Sequence, residues 1–338
     1  MKKSLIALAT LAAVSGTAFA QSSVTLSGTF DPSYSKATTT KGTTKTSATI
    51  LGNSQQGTTA IKFSGTEDLG GGLKAIFMLE QNFDSTDGSN GSMAAGEVFA
   101  GLSGGFGTIR LGAANSPTLG VQAGRTPFGT KVGSGYNATS GAANTRNDDS
   151  FVYTSPTFGG FSVGIGYALK VNEVAAVAAT PATATKVETL GSNAVPATNA
   201  KSDIALNYAA GPLVVGLSSV TQKSALAQTN LMARYNLGFA TAYAGYVTED
   251  DKKGAATSKK KGTNFAIAAP MGAITLMANI ASWDVEGGTA GDRDITAVGV
   301  KYDLSKRTST YARMVTDKTK GTTDTKVQTT LVGLQHNF

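Results

Sequence analysis

The sequence predicts an all-β chain, a sixteen-stranded antiparallel transmembrane β-barrel with short turns on one side and long loops on the other. Three observations carry this expectation. Segments of about ten residues with period-two alternation recur along the chain, the spacing of strands that cross a bilayer. Beyond the N-terminal segment no run of eighteen apolar residues occurs, so no helix can span a membrane. A closed barrel is the other structure that satisfies every backbone group in lipid. Third, tight turns and longer polar stretches alternate between successive strands, which a β-sandwich or a solenoid does not give.

In order along the chain, residues 1–20 read as a secretion signal: basic Met1-Lys2-Lys3, an apolar stretch, then Ala18-Phe19-Ala20 as the cleavage site. Residues 21–338 are then the barrel domain, placed across the outer membrane of a Gram-negative envelope. Residues 24–35 form the first strand and residues 36–56 a long polar connection. Residues 58–65 and 73–83 pair around the turn EDLGGG, and residues 97–103 and 106–112 around Gly104-Gly105. Residues 150–155 and 161–170 pair around PTFGG, 203–209 and 213–220 around Gly211-Pro212, and 229–236 and 240–248 around Gly238. Residues 264–269 and 273–283 meet at Pro270-Met271-Gly272, and 294–302 and 308–315 at DLSKR. Residues 326–338 close the set on an aromatic C-terminus, suited to a membrane interface. Residues 113–146 and 171–200 are the longest loops. Sixteen strands leave a water-filled lumen, whereas eight are filled by their own side chains.

Face assignment follows from parity. Leu73, Ala75, Phe77 and Leu79 oppose Lys74, Ile76, Met78 and Glu80. A charge facing lipid at mid-depth costs about 2–4 kcal/mol, so Lys74, Glu80, Glu97 and Arg110 are expected to point into the lumen.

The chain carries one histidine, His336, and no cysteine. That excludes His/Cys metal sites and leaves a Ser-His-Asp triad only a residue on the outward face of the last strand. Gly70-Gly71-Gly72 lacks the GK[ST] ending of a phosphate loop. The net charge of +7 comes from lysines scattered through loops, such as Lys252, Lys253 and Lys259 to Lys261, with no basic helix face for nucleic acid. No catalytic residue, cofactor or metal is expected.

Six blocks carry a resemblance: SSVTLSGTFD, GTEDLGGGLKAIFMLEQNFD, GEVFAGLSGGFGTIRLG, RNDDSFVYTSPTFGGF, YDLSKRTSTYARM and VGLQHNF. In this order and spacing the chain resembles the general porins of β-proteobacteria, the Neisseria, Burkholderia and Comamonas type. The resemblance implies a homotrimer in contact with outer-membrane lipid and lipopolysaccharide, and a third loop, residues 113–146, folded inward. It also implies passage of small hydrophilic solutes and ions with a weak preference for anions. The constriction candidates are Lys62, Lys74, Glu80, Glu97, Arg110, Arg125, Lys131, Arg146, Asp148 and Asp149, with Asp31 a further acidic partner. They either set a transverse field across the aperture or pair and pin the loop to the wall. The sequence departs from the family at TAIKFSG, where Ala60 and Ser64 stand at positions commonly arginine, and at Ala113 after the fifth strand. A substrate-specific channel for small anions, and a surface adhesin or structural barrel, remain the alternatives.

Overall fold

The computed structural model describes residues 23–87, 96–135, 146–170, 199–223, 225–252, 257–287 and 291–338. One antiparallel sheet closes on itself. Its first stave is β1 (Ser23–Phe30) continued by β2 (Pro32–Lys41), and its second is β3 (Thr44–Asn53) continued by β4 (Ala60–Gly70). There follow β5 (Leu73–Asn82), β6 (Val98–Gly104), β7 (Gly107–Ala113), β8 (Ser150–Thr154) and β9 (Phe161–Ala168). Then come β10 (Lys201–Ala210), β11 (Leu213–Gln222), β12 (Leu226–Asn236), β13 (Thr241–Asp251) and β14 (Ser258–Met271). The last four are β15 (Ile274–Gly287), β16 (Arg293–Asp303), β17 (Thr308–Thr319) and β18 (Thr325–Asn337). With the two broken staves counted once each, the barrel has sixteen strands.

Closure uses the C-terminal residue. Gly28 and Phe338 exchange two backbone hydrogen bonds, at 3.0 and 3.1 Å, and the Phe338 ring lies 5.8 Å from that of Phe30. A side chain at Gly28 would collide with the Phe338 ring, so glycine there permits the seam. The outward faces are apolar, as parity predicts: Phe77, Leu79, Leu111, Leu231, Phe265 and Met314 are all exposed. Phe30, Phe161, Tyr208, Tyr235 and Tyr302 stand near the turn-bearing rim, where rings are half immersed.

The structure corrects the expected strand limits. Residues 36–56 are not a loop: most of them form the β2–β3 hairpin, tipped at Gly42 (φ +58°). Lys259 to Lys261 lie in β14, not in a loop. The stretches between residues 220 and 229, and between 248 and 264, are largely strand, so several presumed long loops are short. These differences have one cause. Where strands rise past the lipid, water lies on both sides and the apolar face disappears, though the ladder continues. The EDLGGG turn is likewise tighter than expected, with β4 running to Gly70. The loop expected over residues 171–200 falls mostly outside the described residues.

Candidate pore constriction

The loop after β7 turns into the barrel, and each part of its path has a local cause. At its start the Glu97 carboxylate accepts from the Asn115 backbone and side-chain nitrogens, both at 3.0 Å, and from Arg110 at 2.9 Å. Ser116 then caps a short helix, α1 (Pro117–Ala123), accepting from the Leu119 N–H at 3.2 Å, with Pro117 at the first helical position. The Pro117 ring sits on the inward face of β9. A Cβ at Gly164 would stand 2.8 Å from it, and one at Gly166 3.1 Å. Thr118 donates its hydroxyl and its N–H to Asp203 of β10, at 2.6 and 3.2 Å. Val121 packs on Ala205 and Met232. Gln122 donates to Gln228 at 2.6 Å; Gln228 donates to Glu249 at 2.6 Å, and Glu249 pairs with Lys260 at 2.8 Å.

Beyond the helix the chain follows the wall from β13 to β17. Asn264 donates to the Arg125 carbonyl at 2.6 Å, Asn279 to the Gly133 carbonyl at 2.9 Å, and Arg313 to the Val132 carbonyl at 2.8 Å. Phe128, only 2% exposed, packs into Ala268, Met277, Ala281, Ile295, Ala297 and Val315, with Val132 alongside. These wall residues occupy inward, lumen-side positions yet are apolar, because they face the loop and not water. The loop thus carries a small hydrophobic core inside the barrel.

The adjoining wall, next to β18, has its own irregularity. Thr29 pairs with Ala60 and Pro32 with Asn53, so residues 54–59 are inserted opposite just two residues, Phe30 and Asp31. Asp31, fully buried, accepts from the backbone N–H groups of Gln56 and Gly57 at 2.6 and 2.7 Å, and at 2.5 Å from the Tyr311 hydroxyl. Ser54 adopts φ +59° to enter the insert. The Lys131 ammonium of the loop donates to the Thr58 hydroxyl of the insert at 2.8 Å. A lumen cavity of about 580 Å³ lies between them; its charged lining is Lys131, Lys301 and Arg313.

The ten candidates separate accordingly. Glu97 and Arg110 are paired at the loop's entrance, and Lys62 and Glu80 pair at 3.3 Å across β4 and β5. Arg125 is 4% exposed and lies over the Trp283 ring at 5.9 Å, in the loop–wall contact. Lys131 borders the lumen cavity. Arg146 bridges back to Asn115 at the end of the loop, Asp148 and Asp149 lie beside it, and Lys74 is exposed next to the β4–β5 turn. Sequence reasoning did not identify Arg313, Phe128, Thr118, Asp203 or α1. One signal was present: glycines recur at inward positions of β9, β11, β13 and β14. Those at Gly164, Gly166, Gly216 and Gly245 face the loop.

Residues 7–322 match the family model described as Gram-negative porin. Outer membrane porin protein 32 of Delftia acidovorans is 33% identical, over 95% of this chain and 90% of its own. Major outer membrane protein P.IB of Neisseria gonorrhoeae is 40% identical over 177 residues, 51% of this chain and 49% of its own. Among solved structures, an anion-selective porin from Comamonas acidovorans superposes with a TM-score of 0.73 at 25% identity, over 94% of this chain and 100% of that one. OmpT of Vibrio cholerae, in its trimer form, shares the fold with a TM-score of 0.63 at 13% identity, over 94% of this chain and 99% of that one. A closed sixteen-stranded barrel with an inward third loop, a match along nearly the whole chain and a full-length relative agree: the chain belongs to the Gram-negative porin family, and is a pore-forming outer-membrane protein and not an enzyme.

Proposed function

We propose that this barrel is a passive diffusion pore for small hydrophilic solutes and ions, weakly selective for anions. The observation that carries the selectivity is the charge of the lumen cavity: it is lined by Lys131, Lys301 and Arg313, of which Lys301 pairs with Asp303 at 3.1 Å, with no carboxylate among its described lining residues. Elsewhere the inward carboxylates Glu80, Glu97, Glu249 and Asp317 each sit against a cation and project little net charge. Cations around a constriction favour anion entry. The test is single-channel recording in a planar bilayer under a KCl gradient. The wild-type reversal potential lies on the anion-selective side, and Lys131→Met moves it toward cations. An unchanged potential would remove Lys131 from the conducting path.

The same residue gives a pH dependence. Lys131 lies outside the spanning strands, and burial pulls its ammonium below the ordinary lysine range. It is the protonated form that attracts anions. The preference therefore declines as pH rises through the lowered value, earlier than an exposed lysine would allow. Reversal potentials measured from neutral to alkaline pH check this, and Lys131→Met abolishes the early component.

We further propose a homotrimer, read as three equal closing steps in such recordings. The trimer form of the Vibrio cholerae structure supports it. The secretion signal of residues 1–20 is proposed to be removed after Ala20, which N-terminal sequencing of the membrane-inserted protein tests. Lipopolysaccharide is the proposed outer-leaflet partner. Lys36, Lys45, Lys318 and Lys326 share the outward face of four adjacent strands, and Lys318 stands directly opposite Lys326. Like charges so placed repel unless an anion, such as a lipid phosphate, lies between them.

A further inference from the structure

We infer that the insert at residues 54–59 is a second constriction element, borne by the barrel wall, and that loop 3 docks onto it to complete the aperture. The inference rests on the diffusion-pore reading. Gln56, Gly57 and Thr58 line the same cavity as loop residues Phe128 to Lys131, so insert and loop are two sides of one passage. The insert is also built, not loose. Asp31 holds its backbone from below through the Gln56 and Gly57 N–H groups. Ser54 donates its N–H to the Asp31 carbonyl at 2.9 Å, and the Thr59 hydroxyl accepts from the Asp31 N–H at 3.1 Å. The Gln56 amide donates to Ser309 and Gln335, at 3.2 and 2.8 Å, on β17 and β18. A strand break needed only to bend the wall would be closed by a one-residue bulge. Six residues opposite two, tied to Asp31, β17 and β18, project structure into the lumen.

Two contacts join the insert to the loop. Lys131 reaches Thr58 at 2.8 Å, and Arg313 donates at 2.7 Å to the Gln55 carbonyl and at 2.8 Å to the Val132 carbonyl. Thr58 is therefore a size- and charge-determining position at the aperture.

The chain has no cysteine, so a single introduced thiol is unique. Thr58→Cys is nearly isosteric, and the neighbouring Lys131 favours the reactive thiolate. The refolded full chain is recorded in a planar bilayer while a sulfonate-bearing methanethiosulfonate reagent is added. The proposal expects covalent modification, confirmed by mass, with conductance falling by about a third or more and the reversal potential moving toward cations. Thr323→Cys, in the exposed β17–β18 turn, is modified without either change. Should Thr58→Cys not refold, Gln56→Cys gives the same readout from the other inward side chain of the insert. A Thr58→Cys variant whose thiol does not react, or reacts with conductance unchanged, overturns the proposal while leaving the pore intact. Absence of conductance before any reagent is added overturns the diffusion-pore reading instead.

Discussion

Replacing Phe128 with alanine releases the second half of loop 3 from the wall. The ring is 2% exposed and fills a pocket made by six residues of β14 to β17, so the cavity left behind costs about 3–5 kcal/mol of loop docking. The ring also lies under the Arg313 guanidinium, 5.0 Å from its centre, and the truncation removes that contact as well. The loss is local. The strand ladder that holds the barrel is untouched, so the temperature at which the folded protein loses resistance to detergent changes little. The channel changes more: open-state current becomes noisier and mean conductance rises, because the loop now samples positions further from its hydrogen-bonding partners Asn264 and Asn279. A quiet channel of wild-type conductance would show that the polar ties alone define the aperture.

Asp31→Ala has a comparable energy and the opposite distribution. The carboxylate is fully buried and collects two backbone N–H groups and a tyrosine hydroxyl. Alanine leaves three donors, the Tyr311 hydroxyl buried and the Gln56 and Gly57 N–H groups part-buried, without their acceptor, at about 1–3 kcal/mol each. The total, about 3–9 kcal/mol, falls on the barrel itself. Asp31 sits where two adjacent staves are both interrupted, and there the sheet ladder cannot compensate. The expected result is a lower temperature for the loss of the compact, detergent-resistant band on semi-native gels. Asp31→Asn keeps one acceptor oxygen and falls between the two. If Asp31→Ala melts with the wild type, the insert is held by its side-chain contacts to β17 and β18 and not from below.

Much of this was legible in the sequence, for physical reasons that differ by region. Within the membrane, lipid on one side and water or loop on the other force a period-two pattern, and Phe77, Leu79, Ile165 and Leu231 obey it. The inward placement of Glu80, Glu97 and Arg110 follows from the same rule and the geometry agrees. Three features did not show. Strands above the membrane lose the contrast between faces, which hid the β2–β3 hairpin in a threonine-rich stretch. Helix α1 reads PTLGVQA, with a threonine, a glycine and a valine, too weak to form alone; it exists because Val121, Thr118 and Gln122 find partners on the wall. Phe128 and the apolar inward row were invisible because polar-inside patterning assumes water in the lumen, and there the lumen holds protein. Arg125 and Arg313 illustrate the limit for the site: arginines expected or able to line a pore are, by burial, framework residues that bond backbone carbonyls.

Arg313 grips the wall insert through the Gln55 carbonyl and the loop through the Val132 carbonyl, while its own strand is hydrogen-bonded on both sides. The rim of the aperture therefore behaves as a hoop and not as a pair of jaws. Pressure from an oversized solute on one side is carried round to the other, and the exclusion limit is fixed by the perimeter of the hoop.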